Sequence, residues 1–518
     1  MDIATEECVI RMSMTTLSIF RLIWKRRLVA TLVVSLGPFS SGIGKGYSSP
    51  ALASLQDSED TVQINSQQAS WIAGLSLLGA LFGDIVGGLA LSLGRQRVLS
   101  ATALPFSAAW LLTIFADHVA MIYTTSFVGG FCSAIITLAS QIYISEIASP
   151  SIRGALCSLI RIFSNVGLLF SFVLGAYLSW RYLAVVAACV PVLLFVFSLF
   201  IPESPAFLKF QGKDKEAEAA SRILNGGASS EEDWKLISIC EPPLKFLPSS
   251  KPCAAPQPAW KAPGRLRCSS FFQYRLLRPL AITCGLMFFQ RFSGAFVLNY
   301  YAVTIFKNTF FKLNPHHVAI IQASVHLVAS CLFGLLVDRV GRVPLLIVGH
   351  TLISIALSAL GAYIYVEHHP LKEGSPTGTL DWIPLVCVLL FTLAYSLGIG
   401  PIALLLVGEL YPVECRGIGG AIATAFGHAC GFIVVKTFVD FENVFQLSGT
   451  FWMYAVVSLS GAFFVFFLVP ETVGKSLEAI QEVIVPEDTL PKNMTSSTIL
   501  TDEVTEETEV LAKEDETA

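Results

Sequence analysis

The sequence predicts an all-α membrane protein with about twelve transmembrane helices in two pseudo-symmetric six-helix bundles. Three observations lead to this prediction. Of the 518 residues, 54% are hydrophobic and only 14% are charged, against roughly 25% charged in soluble domains. Apolar stretches long enough to cross a bilayer, which takes roughly 20 residues, recur along the chain. Motifs in the first half also return in the second half.

The apolar stretches divide the chain into five segments. We expect a cytosolic N-terminal segment, an N-terminal six-helix bundle, a cytosolic linker with short helices, a C-terminal six-helix bundle and an acidic cytosolic tail. In that order the segments are 1–27, 28–201, 202–279, 280–469 and 470–518. The predicted spans lie near 28–48, 68–91, 98–116, 121–144, 156–178, 182–201, 280–306, 316–337, 343–366, 382–407, 418–439 and 448–469.

The basic residues of the short loops predict the orientation. Short loops rich in Lys and Arg stay in the cytosol. The motifs "GRQRV" (94–98), "SIRGA" (151–155), "DRVGR" (338–342) and "ECRGI" (414–418) fall on alternate loops. We therefore expect both termini to be cytosolic, in a multi-pass protein of the plasma membrane.

The two halves resemble each other. The stretch "YISEIASPSIRGA" (143–155) is similar to "GELYPVECRGIGGA" (408–421), and "GRQRVL" (94–99) is similar to "GRVPLL" (341–346). Membrane proteins built from such repeats commonly bind their substrate near the bilayer midplane, between the two halves. The repeat therefore predicts a central binding cavity.

No motif supports an enzyme. The stretch "GIGKGYSSP" (42–50) lacks the spacing of a phosphate-binding loop and lies in an apolar helix. We find no catalytic set, no paired carboxylates and no metal-ligand spacing. We expect no cofactor, no metal and no nucleic-acid partner. The expected partners are the lipid bilayer and a small-molecule solute, and the sequence indicates nothing about protein partners.

Six motifs together resemble the sugar porter family of the major facilitator superfamily. They are "SEIASPSIRG" (145–154), "PESPAFL" (202–208), "QRFSGAFVLNYY" (290–301), "GLLVDRVGR" (334–342), "GELYPVECRG" (408–417) and "VPETVGKSLEAIQE" (469–482). Within that family, "GYSSPALASL" (46–55) and "FIVVKTF" (432–438) look like the insect facilitated trehalose transporters. The resemblance implies an alternating-access transporter with the major facilitator fold. It also implies uptake of a sugar such as trehalose or a hexose.

The resemblance places a gating network at the cytosolic ends of the helices. Its members are Arg95, Glu146, Arg153, Asp338, Arg339, Arg342, Glu409 and Arg416. We expect these charges to stabilise the outward-open state, with Glu146 matched to Arg153 and Glu409 to Arg416. The alternative is that they only satisfy helix ends and orient the chain. The first loop has Leu91 and Ser92 where the family has an acid and a base, which predicts a weaker clamp there.

The resemblance, together with the polar and charged residues inside the predicted spans, identifies residues that we expect to line the central cavity. They are Lys45, Arg161, Asn165, Gln290, Arg291, Asn299, Tyr300, His326, Leu404 and His428. Several differ from the family pattern. Arg161 and Arg291 stand where sugar porters have glutamines, and Leu404 stands where a tryptophan covers the sugar. Neutral hydrogen-bonding groups are thus replaced by cations and apolar side chains.

The two arginines lie deep in their predicted helices. Arg161 is eight residues beyond Arg153, and Arg291 is 13 residues beyond Arg278, which corresponds to depths of about 12 and 20 Å. A charge near mid-bilayer costs about 2.5 to 3.5 kcal/mol on insertion scales, so it usually faces a cavity and has a partner. We expect Asp84 to be the intramembrane counter-charge.

Three interpretations of these cations remain open. They are partnered inside the protein and play no part in selectivity, they hold an organic anion or a charged sugar derivative, or they mark a sensor-like protein that no longer transports. Guanidinium groups match the geometry of carboxylate and phosphate. Residues 28–56 contain no Asp or Glu, whereas proton-coupled members of the family generally use an acid in the first helix. This favours facilitated diffusion.

Overall fold

The chain is almost entirely helical in a computed structural model that describes residues 3–57, 62–148, 153–224, 270–310, 313–368, 382–411 and 416–473. The predicted all-α fold class is confirmed, since no strand occurs within these ranges. The predicted tail beyond residue 473 and most of the linker lie outside them.

Six helices form the N-terminal bundle. They are α1 (Ile3–Asp57), α2 (Ser66–Ala90), α3 (Arg95–Ile114), α4 (Val119–Ile147), α5 (Arg153–Gly175) and α6 (Trp180–Ser198). α1 is longer than the predicted span, because the N-terminal segment continues it as helix from Ile3. Two short helices, α7 (Pro205–Phe210) and α8 (Asp214–Leu224), follow in the linker.

The C-terminal bundle contains more helical segments than predicted spans. They are α9 (Ser270–Phe292), α10 (Ala295–Tyr300), α11 (Ala302–Thr309), α12 (Pro315–Val340), α13 (Arg342–His368), α14 (Trp382–Ala394), α15 (Gly400–Leu410) and α16 (Arg416–Leu468). A π-helical turn, Tyr395–Ile399, joins α14 to α15.

Ten helical stretches of the described chain are long and apolar enough to cross a membrane. The number is below twelve for two reasons. The stretch Gly419–Leu468 contains two predicted spans, which meet at Gln446, where φ is 59°. The predicted span 280–306 is broken near Gly294, which adopts φ 85° at the start of α10. About twelve membrane-crossing segments therefore remain.

The two bundles pack by the same pattern. In the N-terminal bundle α1 contacts α5, α2 contacts α4, and α3 contacts α6. In the C-terminal bundle α9 and α13 both contact α16, and α12 contacts α14. The bundles meet where α2 lies against α16 and α5 lies against α12.

Small residues bring the helices of the N-terminal bundle close together. A Cβ atom on Gly42 would lie 1.9 Å from the carbonyl oxygen of Ser164, and one on Gly130 would lie 1.8 Å from that of Ser76. Backbones in such contact exclude any side chain. Close approach through glycine is typical of helix packing in membranes, where dispersion contacts replace the hydrophobic effect.

We call the side that carries α7 and α8 the linker face and the other side the opposite face. At the opposite face the Gln67 side chain of α2 donates to Asp440 of α16 and accepts from Lys436 at 3.2 Å. We call the boundary between the two bundles the seam. Deeper in the seam, the ring centres of Trp71 and Phe432 lie 6.2 Å apart. The bundles are thus closed against each other at the opposite face.

Candidate functional site

Two ion pairs at the linker face are related by the pseudo-symmetry. Arg95, the first residue of α3, lies 2.8 Å from Glu146 near the end of α4. Arg342, the first residue of α13, lies 3.2 Å from Glu409 at the end of α15. Each pair joins two helices of one bundle. The Arg95–Glu146 distance is no longer than the Arg342–Glu409 distance, although the first loop carries Leu91 and Ser92.

Glu203 and Glu471 complete this arrangement, and neither residue was predicted from the sequence. The Glu203 carboxylate accepts the backbone N–H of Arg95 at 2.9 Å and that of Gln96 at 3.1 Å. Glu471 accepts the backbone N–H of Arg342 at 3.1 Å and that of Val343 at 2.9 Å. A carboxylate is stabilised at a helix N-terminus by these unpaired N–H groups. The repeated Pro-Glu at 202–203 and 470–471 is the signal that identifies them.

The pKa of Glu471 reflects its surroundings. Burial raises this pKa, but backbone hydrogen bonds from Val343, Val473, Arg342 and Thr472 outweigh burial and hold the pKa below its usual value. The carboxylate therefore stays ionised near neutral pH and keeps the start of α13 in place.

The other members of the predicted gating network are less well defined. The side chains of Arg153, Asp338 and Arg416 lie outside the described residues, so the pairings of Glu146 with Arg153 and of Glu409 with Arg416 stay predictions. Arg339 is exposed near the end of α12.

Three cations of the predicted cavity come from three helices and lie near one another. Lys45 is exposed although it lies within α1, and it experiences the charges of Arg291, Arg161 and Asp84. Arg161 of α5 is half-buried. These interactions place all three cations in one electrostatic neighbourhood, with two on the N-terminal bundle and one on the C-terminal bundle.

Arg291 is held by packing. It is 7% exposed, and its guanidinium carbon lies 4.1 Å from the centre of the Phe296 ring. Its Nε is buried and has no hydrogen-bond partner. On α16, a Cβ atom at Gly427 would lie 3.4 Å from its Nη2. A cation on an aromatic face gains about 2 kcal/mol when it is desolvated, which offsets part of the cost of burial.

Asp84 contacts a histidine at closer range than any cation of the cavity. Its Oδ2 lies 2.8 Å from Nδ1 of His428, and this contact joins α2 to α16 across the seam. No ion pair to Lys45, Arg161 or Arg291 occurs among the described residues, although Asp84 acts electrostatically on Lys45 and Arg291. The expected counter-charge is thus present, but its contact partner is His428, because α16 packs directly on α2.

Gln290 anchors the π-helical turn. Its side chain is buried, and Nε2 donates to the carbonyl oxygens of Ile399 at 3.2 Å and Gly400 at 2.8 Å. π-Helical turns shift the backbone hydrogen bonds of a helix and occur frequently at functional sites. In this conformation the amide nitrogen of Gln290 is therefore occupied by backbone rather than open to the cavity.

Serines that the sequence did not identify are partners of three predicted cavity residues. Asn165 donates to Ser330 at 2.6 Å across the seam, and Tyr300 accepts from Ser76 at 3.3 Å, also across it. Nδ1 of His326 lies 3.0 Å from Ser396 Oγ within the C-terminal bundle.

Two predicted cavity residues show no such partner in the described chain. Asn299 is half-buried in α10, and Leu404 in α15 is 44% exposed. Their contribution to the cavity stays a prediction.

The family described as "Sugar (and other) transporter" matches residues 30–484. The chain is 35% identical to a protein named facilitated trehalose transporter Tret1 from Polypedilum vanderplanki, over 88% of this chain and 87% of that one. It is 36% identical to a protein of that name from Aedes aegypti, over 90% of this chain and 56% of that one. It is 37% identical to the one from Drosophila pseudoobscura pseudoobscura, over 89% and 51%. The chain thus spans about half the length of the latter two.

Solved structures share the fold. The inward open xylose transporter XylE from E. coli superimposes with a TM-score of 0.68 at 22% identity, covering 88% of this chain and 99% of that one. The proton:xylose symporter XylE bound to 6-bromo-6-deoxy-D-glucose gives 0.66 at 22% identity, covering 89% and 99%. With two matched bundles and this family match, the chain belongs to the family described as "Sugar (and other) transporter" and shares the fold of these structures.

Proposed function

We propose that this protein carries a sugar, of the trehalose or hexose type, across the plasma membrane by alternating access and without proton coupling. The names of its relatives support the sugar class. The extensive coverage of this chain by those relatives supports the transfer of that class to it.

One observation carries the proposal: the bundles are closed against each other at the opposite face, and polar side chains of both bundles meet at mid-depth. The seam consists of single hydrogen bonds such as Gln67 to Asp440 and Asn165 to Ser330, together with the Trp71–Phe432 ring contact. Each such hydrogen bond contributes about 1 kcal/mol net. A seam of this kind is reversible, as a carrier requires.

The linker-face ion pairs suit a supporting role in this cycle. Arg95–Glu146 and Arg342–Glu409 both lie within a single bundle. We propose that they hold the helix ends of each bundle together, so that each bundle moves as one body. We also propose that these charged side chains contact the other bundle when the linker face closes. Such contacts would stabilise the outward-open state.

The positions of the acidic residues support facilitated diffusion. Residues 28–56 contain no Asp or Glu, and Asp84 contacts His428. A proton symporter needs a group that takes up and releases a proton in each cycle, and the first span offers no carboxylate for this.

Counterflow in vesicles tests the proposal. The full-length protein is purified, reconstituted and loaded with unlabelled trehalose or glucose, and the entry of labelled sugar is followed. We expect saturable counterflow that an imposed pH gradient does not change. Binding of sugar without counterflow would instead establish the sensor-like alternative, and accumulation driven by a pH gradient would refute the absence of proton coupling.

A reversible lock tests alternating access itself. Gln67→Cys combined with Asp440→Cys places two thiols at the closed seam, and oxidation should abolish counterflow until a reductant is added. Wild-type protein with its 12 native cysteines is the control and should be unaffected by the oxidant. Undiminished counterflow in the cross-linked variant would refute the cycle.

A further inference from the structure

The central cavity has an excess of positive charge. Lys45, Arg161 and Arg291 contribute three positive charges, and Asp84 is a carboxylate that acts on Lys45 and Arg291. With His428 neutral, three positive charges against one negative charge leave a net charge of +2 among these groups. His326 also experiences the positive charges of Arg161 and Lys45.

These cations are not neutralised within the described chain. None of the three forms an ion pair with a described residue, because Asp84 contacts His428 at 2.8 Å instead. Nε of Arg291 is buried and has no acceptor. A guanidinium carries five N–H donors and no acceptor. An unpaired charge in this setting is costly unless another group supplies the missing negative oxygen atoms.

The packing around Arg291 makes a defined site for such a group. The Phe296 ring fixes one face of the guanidinium at 4.1 Å. The absence of side chains at Gly427 and Gly431 leaves room beside it, since Cβ atoms there would lie 3.4 Å from Nη2 and 3.8 Å from Cδ. Lys45 remains exposed within α1. Arg291 is thus held in place, and Lys45 is accessible.

We propose that the cavity selects a sugar that bears an oxyanion, a carboxylate or a phosphate, and that Lys45, Arg161 and Arg291 bind this group. The inference rests on the proposed carrier function and specifies the substrate class of the same cavity. A planar guanidinium matches both oxyanions by paired hydrogen bonds.

The distribution of the cations adds a consequence for transport. Lys45 and Arg161 belong to the N-terminal bundle and Arg291 to the C-terminal bundle, and both arginines repel Lys45. An anion between them removes this repulsion. The loaded cavity then closes around its solute more readily than the empty one.

The test compares charged and neutral sugars on the full-length protein. Binding to purified protein is measured by calorimetry, and counterflow is measured in vesicles, with glucuronate, glucose 6-phosphate, glucose, trehalose and inorganic phosphate. We expect glucuronate or glucose 6-phosphate to bind at least tenfold more tightly than glucose and to exchange. The two anions distinguish a carboxylate site from a phosphate site.

Charge-removing variants identify the residues. Arg291→Gln and Arg161→Gln should each weaken binding of the charged sugar about tenfold more than they weaken binding of glucose. Lys209→Gln, which removes an exposed charge from α7, is the matched control and should change neither. Arg161→Lys, which keeps the charge, should bind the charged sugar more tightly than Arg161→Gln does. The two Arg161 variants test the inference even if Arg291→Gln fails to fold.

Two results would overturn the inference. The first is counterflow of neutral sugar that glucuronate and glucose 6-phosphate do not inhibit. The second is equal affinity for inorganic phosphate and glucose 6-phosphate, because the sugar would then contribute nothing. Neither result would refute the carrier function. That function is refuted only if neither charged nor neutral sugars exchange in the counterflow assay.

Discussion

The hydrogen bond between Asn165 and Ser330 allows a quantitative test of the conformational cycle. The Asn165 amide donates to Ser330 Oγ at 2.6 Å, both side chains are buried, and the bond joins α5 to α12 across the seam. We expect it to exist only while the bundles are closed there. Removing it should therefore shift the equilibrium towards the conformation that is open at the opposite face.

The two single substitutions should differ in magnitude. In Asn165→Ala the hydroxyl of Ser330 still donates to the carbonyl oxygen of His326 at 2.8 Å. Only the net value of the bond is lost, about 0.5 to 1.5 kcal/mol, or roughly a 2- to 13-fold change in population. Ser330→Ala leaves the Asn165 amide buried without an acceptor, which costs about 1 to 3 kcal/mol, or roughly 5- to 150-fold.

The double variant provides the decisive comparison. Because it contains no orphaned amide, its population should match that of Asn165→Ala and fall below the sum of the two single effects. Ser324→Ala is the matched control, since Ser324 Oγ donates to Ile320 at 2.8 Å within α12.

Distances between labels on the two bundles measure the populations. Spin-labelled noncanonical amino acids at Asp117 and His317, both exposed at the opposite face, leave the 12 native cysteines in place. Pulsed electron resonance then gives the fractions of short and long distances. Unchanged fractions in both single variants, or a double variant that shows the full sum, would refute this account of the seam.

Two predictions concern stability. Glu471→Gln should reduce the free energy of unfolding by about 1 kcal/mol after solvent screening. The pKa of Glu471 is depressed in the folded protein. The stabilisation should therefore be present above the usual carboxyl pKa of about 4.3 and disappear as pH falls through the folded pKa. Thermal unfolding in detergent from neutral to acidic pH checks this, and a wild-type advantage that persists in acid would contradict it. Gly130→Ala should destabilise by about 1 to 3 kcal/mol or more, because its Cβ would lie 1.8 Å from a carbonyl oxygen; Gly88→Ala, with nothing within 4 Å, should unfold at the wild-type temperature, and equal unfolding of both variants would contradict this.

Much of the fold could be predicted from the sequence because its signals are local. Helices in lipid satisfy their backbone hydrogen bonds within a single segment, so each span appears as a continuous apolar stretch. The positions at which helices break or join could not be predicted from the apolar stretches. Gly294 divides the predicted span 280–306, and two predicted spans join across Gln446, because packing against other helices decides where a helix bends.

The candidate site was predictable only in part. The depth of Arg161 and Arg291 follows from counting residues along single helices, but their partners do not. Asp84 and His428 are 344 residues apart, and both Glu203 and Glu471 cap helices that precede them by more than 100 residues. The repeated Pro-Glu was visible in the sequence, yet only its contacts show what it does.

The sequence by itself determined that lipid surrounds most of this chain, that two similar six-span halves follow one another and that cations lie at mid-depth. These properties depend on composition and on distances along single helices. Only the tertiary structure decided that Asp84 contacts His428, that Gln290 holds the π-helical turn and that the bundles close at the opposite face. Side-chain partners across a seam depend on how separate helices pack, and that packing joins residues which no local pattern relates.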